Sequence, residues 1–420
     1  MLTTAPRGTK DILPGEVEKW QKIEKKAREL CHLYGYQEIR TPLFEHTELF
    51  TRSIGETTDI VSKEMYTFTD RGGRSITLRP EGTASTIRAY LEQKIYNLPQ
   101  PTKLYYIGPM FRYDRPQAGR YRQFHQFGIE VLGVDHPAID AEVISLALHF
   151  LNSLGLNSDP KHGGLTLHIN SIGCPECRAR YRDKLLAYIR DNIDQLCPDC
   201  RSRYERNPLR ILDCKQKQCQ TVTKDAPHLA EYLCSNCDEH FTAVKHYLDL
   251  LNIEYVEDPR LVRGLDYYTN TAFEIISTSL GAQSSICGGG RYNGLVEACG
   301  GSPTPGIGFA IGLERLLLLL PEDTTGSYRP DVFLLAFPGL SYDFAYTLQA
   351  KLRKENISVV MDYLQKSLRS QMRYANKLQA KNVVIIGDEE LETGTVTLKK
   401  MDSGEQTRIK LDDLVNYLKK

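Results

Sequence analysis

Arg122-Gln123-Phe124-His125-Gln126-Phe127-Gly128-Ile129-Glu130 reads as a β-strand with two unlike faces. Side chains alternate along a strand, so Arg122, Phe124, Gln126, Gly128 and Glu130 share one face. Gln123, His125, Phe127 and Ile129 share the other. A cation, a flat ring, an amide, bare backbone and a carboxylate make a poor core face and a good pocket floor. Gly128 is expected to let a ligand approach the backbone. The competing reading is the solvated outer face of an edge strand.

Just upstream, Phe111-Arg112-Tyr113 opens a loop, Asp114 to Tyr121, holding Arg115, Gln117 and Arg120. Guanidinium forks match phosphate oxygens, so arginines beside a pocket suit a phosphate chain. No Gly-x-x-x-x-Gly-Lys loop occurs, which argues against a P-loop nucleotide fold. Thr77 to Thr83 places Glu81 and Thr83 at a strand-to-helix turn, where they could hold an ammonium group. Arg263-Gly264-Leu265-Asp266-Tyr267-Tyr268 sets an arginine and a tyrosine pair beside a glycine. Cys287-Gly288-Gly289-Gly290-Arg291-Tyr292 reads as backbone that closes over a substrate, or as a plain flexible turn.

Around these segments the apolar spacing of Val17, Trp20, Ile23, Ala27, Leu30 and Tyr34 predicts an amphipathic helix stopped by Gly35. A second helix is expected from Glu81. Strands are expected at Lys103–Gly108, Leu165–Asn170, Ala272–Ser277 and Gly306–Ile311. Strands and helices do not alternate regularly, which points to an α+β core around a largely antiparallel sheet. A boundary is expected between Pro321 and Pro330, where Pro, Asp, Thr and Gly cluster. Beyond it the pattern becomes that of a separate α/β domain of strands, helices and a hairpin over Thr395–Leu411. Lys366, Arg369, Arg373, Lys377 and Lys381 would form one basic stripe if their helix ran on to Lys381. Such a stripe could follow an RNA backbone; a merely solvated face is the plainer reading.

A chain of 420 residues, 41% hydrophobic and 25% charged, suits a soluble globular protein of two to three domains. Met1 to Glu16 has no apolar core, so no signal peptide is expected and the cytoplasm is the default. The apolar runs, such as Leu316–Leu320 and Val332–Phe337, are far too short to span a bilayer. Lys+Arg and Asp+Glu balance at 53 each, so a polyanionic partner would have to be met by local patches. Eight of the 11 cysteines fall between Cys174 and Cys237, at Cys174/Cys177, Cys197/Cys200, Cys214/Cys219 and Cys234/Cys237. In a reducing compartment this spacing suggests one or two tetrahedral zinc sites, or else free thiols packed as small apolar residues. The segment, about residues 174 to 240, reads as an inserted helical subdomain. From Cys174 to Lys224 it carries 12 Lys/Arg against 7 Asp/Glu, which suggests that it lies on RNA.

Taken together these segments resemble the class II aminoacyl-tRNA synthetases, and among them the histidyl-tRNA synthetase family. Tyr34 to Pro42 is similar to the first class II motif, Tyr106 to Glu130 to the second and Gly306 to Arg315 to the third. Leu261 to Tyr268 and Ser285 to Tyr292 resemble the two histidine-specific segments. The resemblance implies a class II catalytic domain over 1–325, an antiparallel sheet with helices. It implies a Cys-rich insertion at 174–240 within that domain and an anticodon-binding domain over 328–420. It implies a histidine–tRNA ligase: histidine and ATP give histidyl-adenylate and pyrophosphate, and histidine then passes to tRNA(His). Mg2+ would bridge the outgoing pyrophosphate, and the enzyme would be a homodimer meeting at the first motif, with no membrane partner.

Carried over by residue, the resemblance implies that Arg112 grips the α-phosphate and the histidine carboxylate. Phe124 lies against adenine, while Arg120 and Arg315 hold the outer phosphates. Glu81, Thr83 and Gln126 bind the α-amino group. Glu130 and Tyr268 orient the imidazole, with Tyr267 beside them. Arg263 takes the place of a metal ion on the α-phosphate, and Arg115 and Gln117 approach the tRNA acceptor end. Ala118 stands where relatives often have lysine. Two rival functions remain in view. One is the related non-catalytic regulatory subunit of ATP phosphoribosyltransferase, which lacks an anticodon domain. The other is a zinc-ribbon RNA-binding protein with a vestigial pocket.

Overall fold

The structure is a computed structural model that describes residues 3–56, 58–212, 214, 216–283, 285–321 and 329–419. The chain divides into two compact units, Met1–Thr325 and Gly326–Lys420. The expected domain limits at 325 and 328 fall within 322–328, outside the described residues.

The first unit opens on helix α1, Val17–Leu33, whose Trp20, Ile23, Ala27 and Leu30 are buried, as their spacing requires. Its strands in chain order are β1 Gln37–Glu38, β2 Phe44–His46, β3 Tyr66–Thr69, β4 Ser75–Leu78, β5 Thr102–Phe111, β6 Gln123–Leu132 and β7 Leu165–Ser171. After these come β8 Val256–Glu257, β9 Thr269–Ser277, β10 Ser285–Arg291 and β11 Gly306–Gly312. Eight of them form one sheet in the order β1-β5-β6-β11-β10-β9-β7-β8. All its pairings are antiparallel except the two-residue edge strands β1 and β8, which pair parallel. Strands β2, β4 and β3 make a separate small sheet.

β6 lies between β5 and β11, so it is not an edge strand and its polar face needs another explanation than solvation. Phe127, Ile129 and Val131 join Ile307, Phe309 and Ile311 of β11 in the main apolar core. That core is completed by α1, by α4 (Ala138–Ser153) and by α8 (Ser235–Leu250). The opposite face of β6 and β11 is left for the site. The glycine run expected as a turn is instead strand β10, paired on both sides. Glycine is a poor strand former, which hides such a strand from a propensity argument; here missing side chains are what the packing needs.

Arg291, at the end of β10, is fully buried and bound to the equally buried Asp140 of α4, with Nη2–Oδ2 at 2.6 Å and Nε–Oδ2 at 2.9 Å. The same guanidinium donates to the carbonyls of Val134 and His136, at 3.1 and 3.2 Å. It thus ties the central sheet to the turn that enters α4.

Between β7 and β9 the cysteine-rich segment folds as helices α5 Pro175–Asp191, α6 Pro198–Arg203 and α7 Lys217–Thr223, with α8 returning to the main core. Tyr181, Leu185, Ile189, Leu196, Ile211 and Leu229 give it a small apolar core of its own.

The second unit is a five-stranded sheet of β12 Val332–Ala336, β13 Val359–Met361, β14 Asn382–Ile386, β15 Thr395–Lys400 and β16 Gln406–Lys410, in the order β13-β12-β14-β15-β16. β15 and β16 are the expected hairpin. The expected basic stripe is shorter than the sequence suggested. Its helix spans Leu368–Lys377 only, so Arg369, Arg373 and Lys377 are helical, while Lys366 precedes it and Lys381 follows. Gln379 at φ 53° is left-handed backbone that ends the helix, and Lys381 turns to pair with Asp331 at 2.8 Å. Among the described residues no helix is long and apolar enough to cross a membrane.

Candidate active site

A cavity of about 240 Å³ opens over the polar face of β6 and β11. Glu81, Thr83, Arg112, Arg120, Phe124, Gln126, Arg263, Tyr267, Tyr268 and Arg315 all line it, although they are spread over more than 230 positions of the chain. Arg122 does not. It lies just before β6 and stacks on Tyr113, its guanidinium carbon 3.8 Å from the ring centroid. Arg115 and Gln117 are exposed on the loop between β5 and β6 and stand outside the lining.

One end of the cavity is cationic. Arg112 donates through Nε to the carbonyl of Pro80 at 2.8 Å, and its guanidinium lies 5.3 Å from the Phe124 ring centroid. Arg120 pairs with Asp114, and Arg315 donates to the carbonyl of Ser285 at 2.8 Å. Burial, then repulsion from Arg120 and Arg112, pushes the Arg315 guanidinium below its ordinary pKa. Three mutually repelling guanidinium groups held at one wall form a site that gains by taking up an anion.

Arg263 sits between that wall and the tyrosines. Its Nη1 donates to Glu274 of β9 at 2.9 Å, and its Nε is buried without a hydrogen-bond partner among the described residues. The side chain lies across β10 at Gly288, where a β-carbon would stand 1.8 Å from Nη2. This close approach is the reason for a glycine there, and it replaces the expectation of a closing or flexible turn.

The other end is lined by a carboxylate, hydroxyls and an amide. Glu81 receives the N–H groups of Thr83 and Ala84, at 2.6 and 2.9 Å, at the start of helix α3 (Thr83–Glu92). Burial raises its carboxyl pKa above the ordinary value. Gln126 has a buried Oε1 that no group among the described residues satisfies, a standing acceptor for a ligand N–H. Tyr267 and Tyr268 stack obliquely with centroids 4.7 Å apart.

Glu130 is buried directly behind the lining. It accepts hydrogen bonds from Thr83 Oγ1 at 2.7 Å, Tyr106 at 3.2 Å and Tyr292 at 2.5 Å. Burial drives its pKa up to about 8 despite these three donors. The space above Gly128 is not open to a ligand, contrary to expectation: the Tyr106 ring fills it, with Cζ and the hydroxyl 2.4 Å from where a β-carbon would stand. Gly128→Ala is therefore expected to push Tyr106 off Glu130. Denaturant unfolding should show a loss of about 1–3 kcal/mol, as for other overpacked cores, with a raised KM for the amino acid. Unchanged unfolding would refute this packing. Tyr106, Tyr292 and Glu274 were given no role by sequence. Tyr106 and Tyr292 stood at the ends of two quoted motifs and Glu274 outside them all, and no periodicity links the pairings, which join positions up to 162 residues apart.

The eight cysteines form two clusters, Cys174/Cys177/Cys234/Cys237 and Cys197/Cys200/Cys214/Cys219, each with all its sulfur atoms within 4.8 Å of one another. All eight are free thiols. Each cluster can hold a metal ion.

Residues 8–316 match the family model described as histidyl-tRNA synthetase, and residues 331–420 match that of the anticodon binding domain. A histidine–tRNA ligase of Pelotomaculum thermopropionicum is 57% identical over 422 residues, covering 100% of this chain and 98% of the relative. One from Desulforamulus reducens is 57% identical over 425 residues, covering 100% and 99%. The crystal structure of apo S. aureus histidyl-tRNA synthetase matches with a TM-score of 0.83 at 43% identity, covering 99% of this chain and 100% of that one. With a polar cavity beside a cluster of arginines, and with both family models matched in order along it, the chain belongs to the histidyl-tRNA synthetase family.

Proposed function

We propose that this chain activates histidine with ATP and transfers it to tRNA(His), with residues 1–325 as the catalytic domain, 174–240 inserted in it and 328–420 binding the anticodon. The observation that carries the reading is the cavity itself, which joins three converging arginines to an amino-acid end with a free amide acceptor. Arg112, Arg120 and Arg315 hold the phosphate chain, and Phe124 lies against adenine. Glu81, Thr83 and Gln126 take the α-ammonium. Tyr268 and Glu130, with Tyr267 packed beside them, set the imidazole, whose N–H groups demand polar partners on both sides.

Attack of the histidine carboxylate on the α-phosphorus builds negative charge on the equatorial oxygens. Arg263 and Arg112 stabilise that charge by position alone, without a covalent intermediate on the enzyme. The carboxylates lining the cavity are already engaged: Glu81 by backbone N–H groups, Asp114 by Arg120 and Glu314 by the His125 N–H. Mg2+ would enter with ATP as part of the nucleotide substrate and offset charge on the phosphates. Arg115 and Gln117 lie on the exposed loop that would meet the acceptor end. The two thiol clusters hold Zn2+, for which four sulfurs are a standard donor set. A homodimer is supported by Leu43, Phe44 and Phe68, exposed apolar side chains next to the first motif. The cytoplasm is the compartment that suits eight reduced thiols.

Histidine-dependent exchange of pyrophosphate into ATP is the expected result with the purified chain, and no other amino acid should replace histidine. An absence of exchange with histidine would overturn the reading, and would leave an RNA-binding protein with an idle pocket.

A further inference from the structure

We propose that Zn2+ held by Cys174, Cys177, Cys234 and Cys237 positions the Tyr267–Tyr268 segment and so sets the enzyme's affinity for histidine. This rests on the ligase reading and on zinc occupying the clusters, and adds a task for one of the two sites.

The geometry of the cluster is that of two matching knuckles. Cys174 caps helix α5 and Cys177 lies in its first turn; Cys234 caps α8 and Cys237 lies in its first turn. Helix N-termini favour thiolates, and the N–H of Cys234 already donates to Cys177 Sγ at 3.1 Å. A tetrahedral site with Zn–S near 2.3 Å has S···S edges of about 3.8 Å. Mutual distances within 4.8 Å are therefore reached with little movement. Tetrahedral thiolate sets take zinc or iron, and a reaction without electron transfer calls for the redox-silent ion.

The cluster is connected to the inner wall of the cavity through Arg178 and Asn270. Arg178, next to Cys177, donates through Nη1 to the carbonyls of Tyr268 and Asp266, at 3.1 and 3.4 Å. Asn270 exchanges backbone hydrogen bonds with the strand leading into Cys174: its N–H donates to the Gly173 carbonyl at 3.0 Å and its carbonyl accepts from Ile172 at 2.7 Å. Asn270 is also left-handed, at φ 49°, and its side-chain amide lies 3.5 Å from Cys237 Sγ. Turned over, which its shape permits, that amide donates to a zinc-bound thiolate. Ile172 packs on Tyr268 from the same side.

Four sulfurs from two helices thus lie beside Arg178 and Asn270, the residues that hold the segment carrying the tyrosines. With the ion in place, the first turn of α5 cannot move away from α8, and the carbonyls of Asp266 and Tyr268 stay pinned by Arg178. Without it the cysteines link the two knuckles through the N–H of Cys234 on Cys177 Sγ, at 3.1 Å, while Cys174 to Cys177 at 3.5 Å lies within one knuckle. Arg178 and Asn270 act through Tyr268, as positioning residues.

The test is metal analysis of the full-length enzyme, together with pyrophosphate exchange at varied histidine and varied ATP. Wild type is expected to carry about two zinc ions per chain and Cys234→Ser about one. In Cys234→Ser the KM for histidine should rise at least about tenfold, the usual size of an outer-contact defect, with the KM for ATP nearly unchanged. Should Cys234→Ser fail to fold, Arg178→Met keeps all the cysteines. It should retain both zinc ions and still raise the KM for histidine, and Arg178→Lys should recover part of it. Full zinc content with an unaltered histidine KM in Arg178→Met, or loss of one zinc with no histidine defect in Cys234→Ser, overturns the positioning role while zinc and ligase activity stand. Active wild-type enzyme with no zinc overturns it through the zinc reading, and zinc-loaded enzyme without histidine-dependent exchange overturns it through the ligase reading.

Discussion

Arg263→Ala should slow histidine activation by roughly 100- to 1000-fold, about 3–4 kcal/mol of transition-state stabilisation, and leave histidine binding nearly intact. Its guanidinium is held by Glu274 at 2.9 Å, is threaded past Gly288, and lines the cavity between the arginine wall and the tyrosines. A charge fixed before the reaction needs no reorganisation when negative charge grows on the α-phosphate, which is why one such group can be worth so much. The ground state should gain less, since the groups we propose to bind histidine are Glu81, Thr83, Gln126 and the tyrosines. The measurement is pyrophosphate exchange beside calorimetric titration of histidine alone. Arg263→Lys should recover only part of the rate, because an ammonium cannot serve Glu274 and a phosphate through one planar fork. Near-normal exchange in Arg263→Ala would remove Arg263 from the mechanism. An equal loss in histidine affinity would make it a binding residue instead.

The second large effect is expected on stability. Arg291→Ala should cost about 3–5 kcal/mol in urea unfolding, because it leaves the fully buried Asp140 carboxylate with only the longer contact to His240 Nε2, at 3.3 Å, in place of the guanidinium. The replaced guanidinium also serves the Val134 and His136 carbonyls, so backbone acceptors lose their donor as well. Arg291→Met combined with Asp140→Leu should recover much of the loss, since removing both charges avoids the stranded ion. Recovery should be incomplete, because those carbonyls stay unserved. If the single change proved as mild as a surface substitution, the pair would have to be wetter than its burial indicates.

These cases show what was legible beforehand. The two faces of β6 were read correctly because a period of two follows from strand geometry alone, and Phe127 and Ile129 do face the core while Phe124 and Gln126 face the cavity. The glycine run of β10 was misread, because the reason for Gly288 is an arginine 25 positions earlier in the chain. Arg291 was visible only as the end of that run, for a buried partner at Asp140 leaves no local mark. Gly128 was known to need free space above it, but not that Tyr106 would take it. Pairs of cysteines were plain in the sequence; which pairs meet is decided by how α5 and α8 pack. The basic stripe failed for a local reason, the left-handed turn at Gln379, that charge spacing does not carry.

The strand order has a consequence for synthesis on the ribosome. β6, the floor of the cavity, pairs on one side with β5, which precedes it, and on the other with β11, which begins at Gly306. At about 5–20 residues per second, β11 leaves the ribosome roughly 9 to 35 s after β6. Through that interval one edge of the floor strand stays open, with Phe127 and Ile129 lacking half of their eventual cover. The nascent chain is then most open to chaperones and to wrong pairings, and it has no working site until Arg315 has emerged.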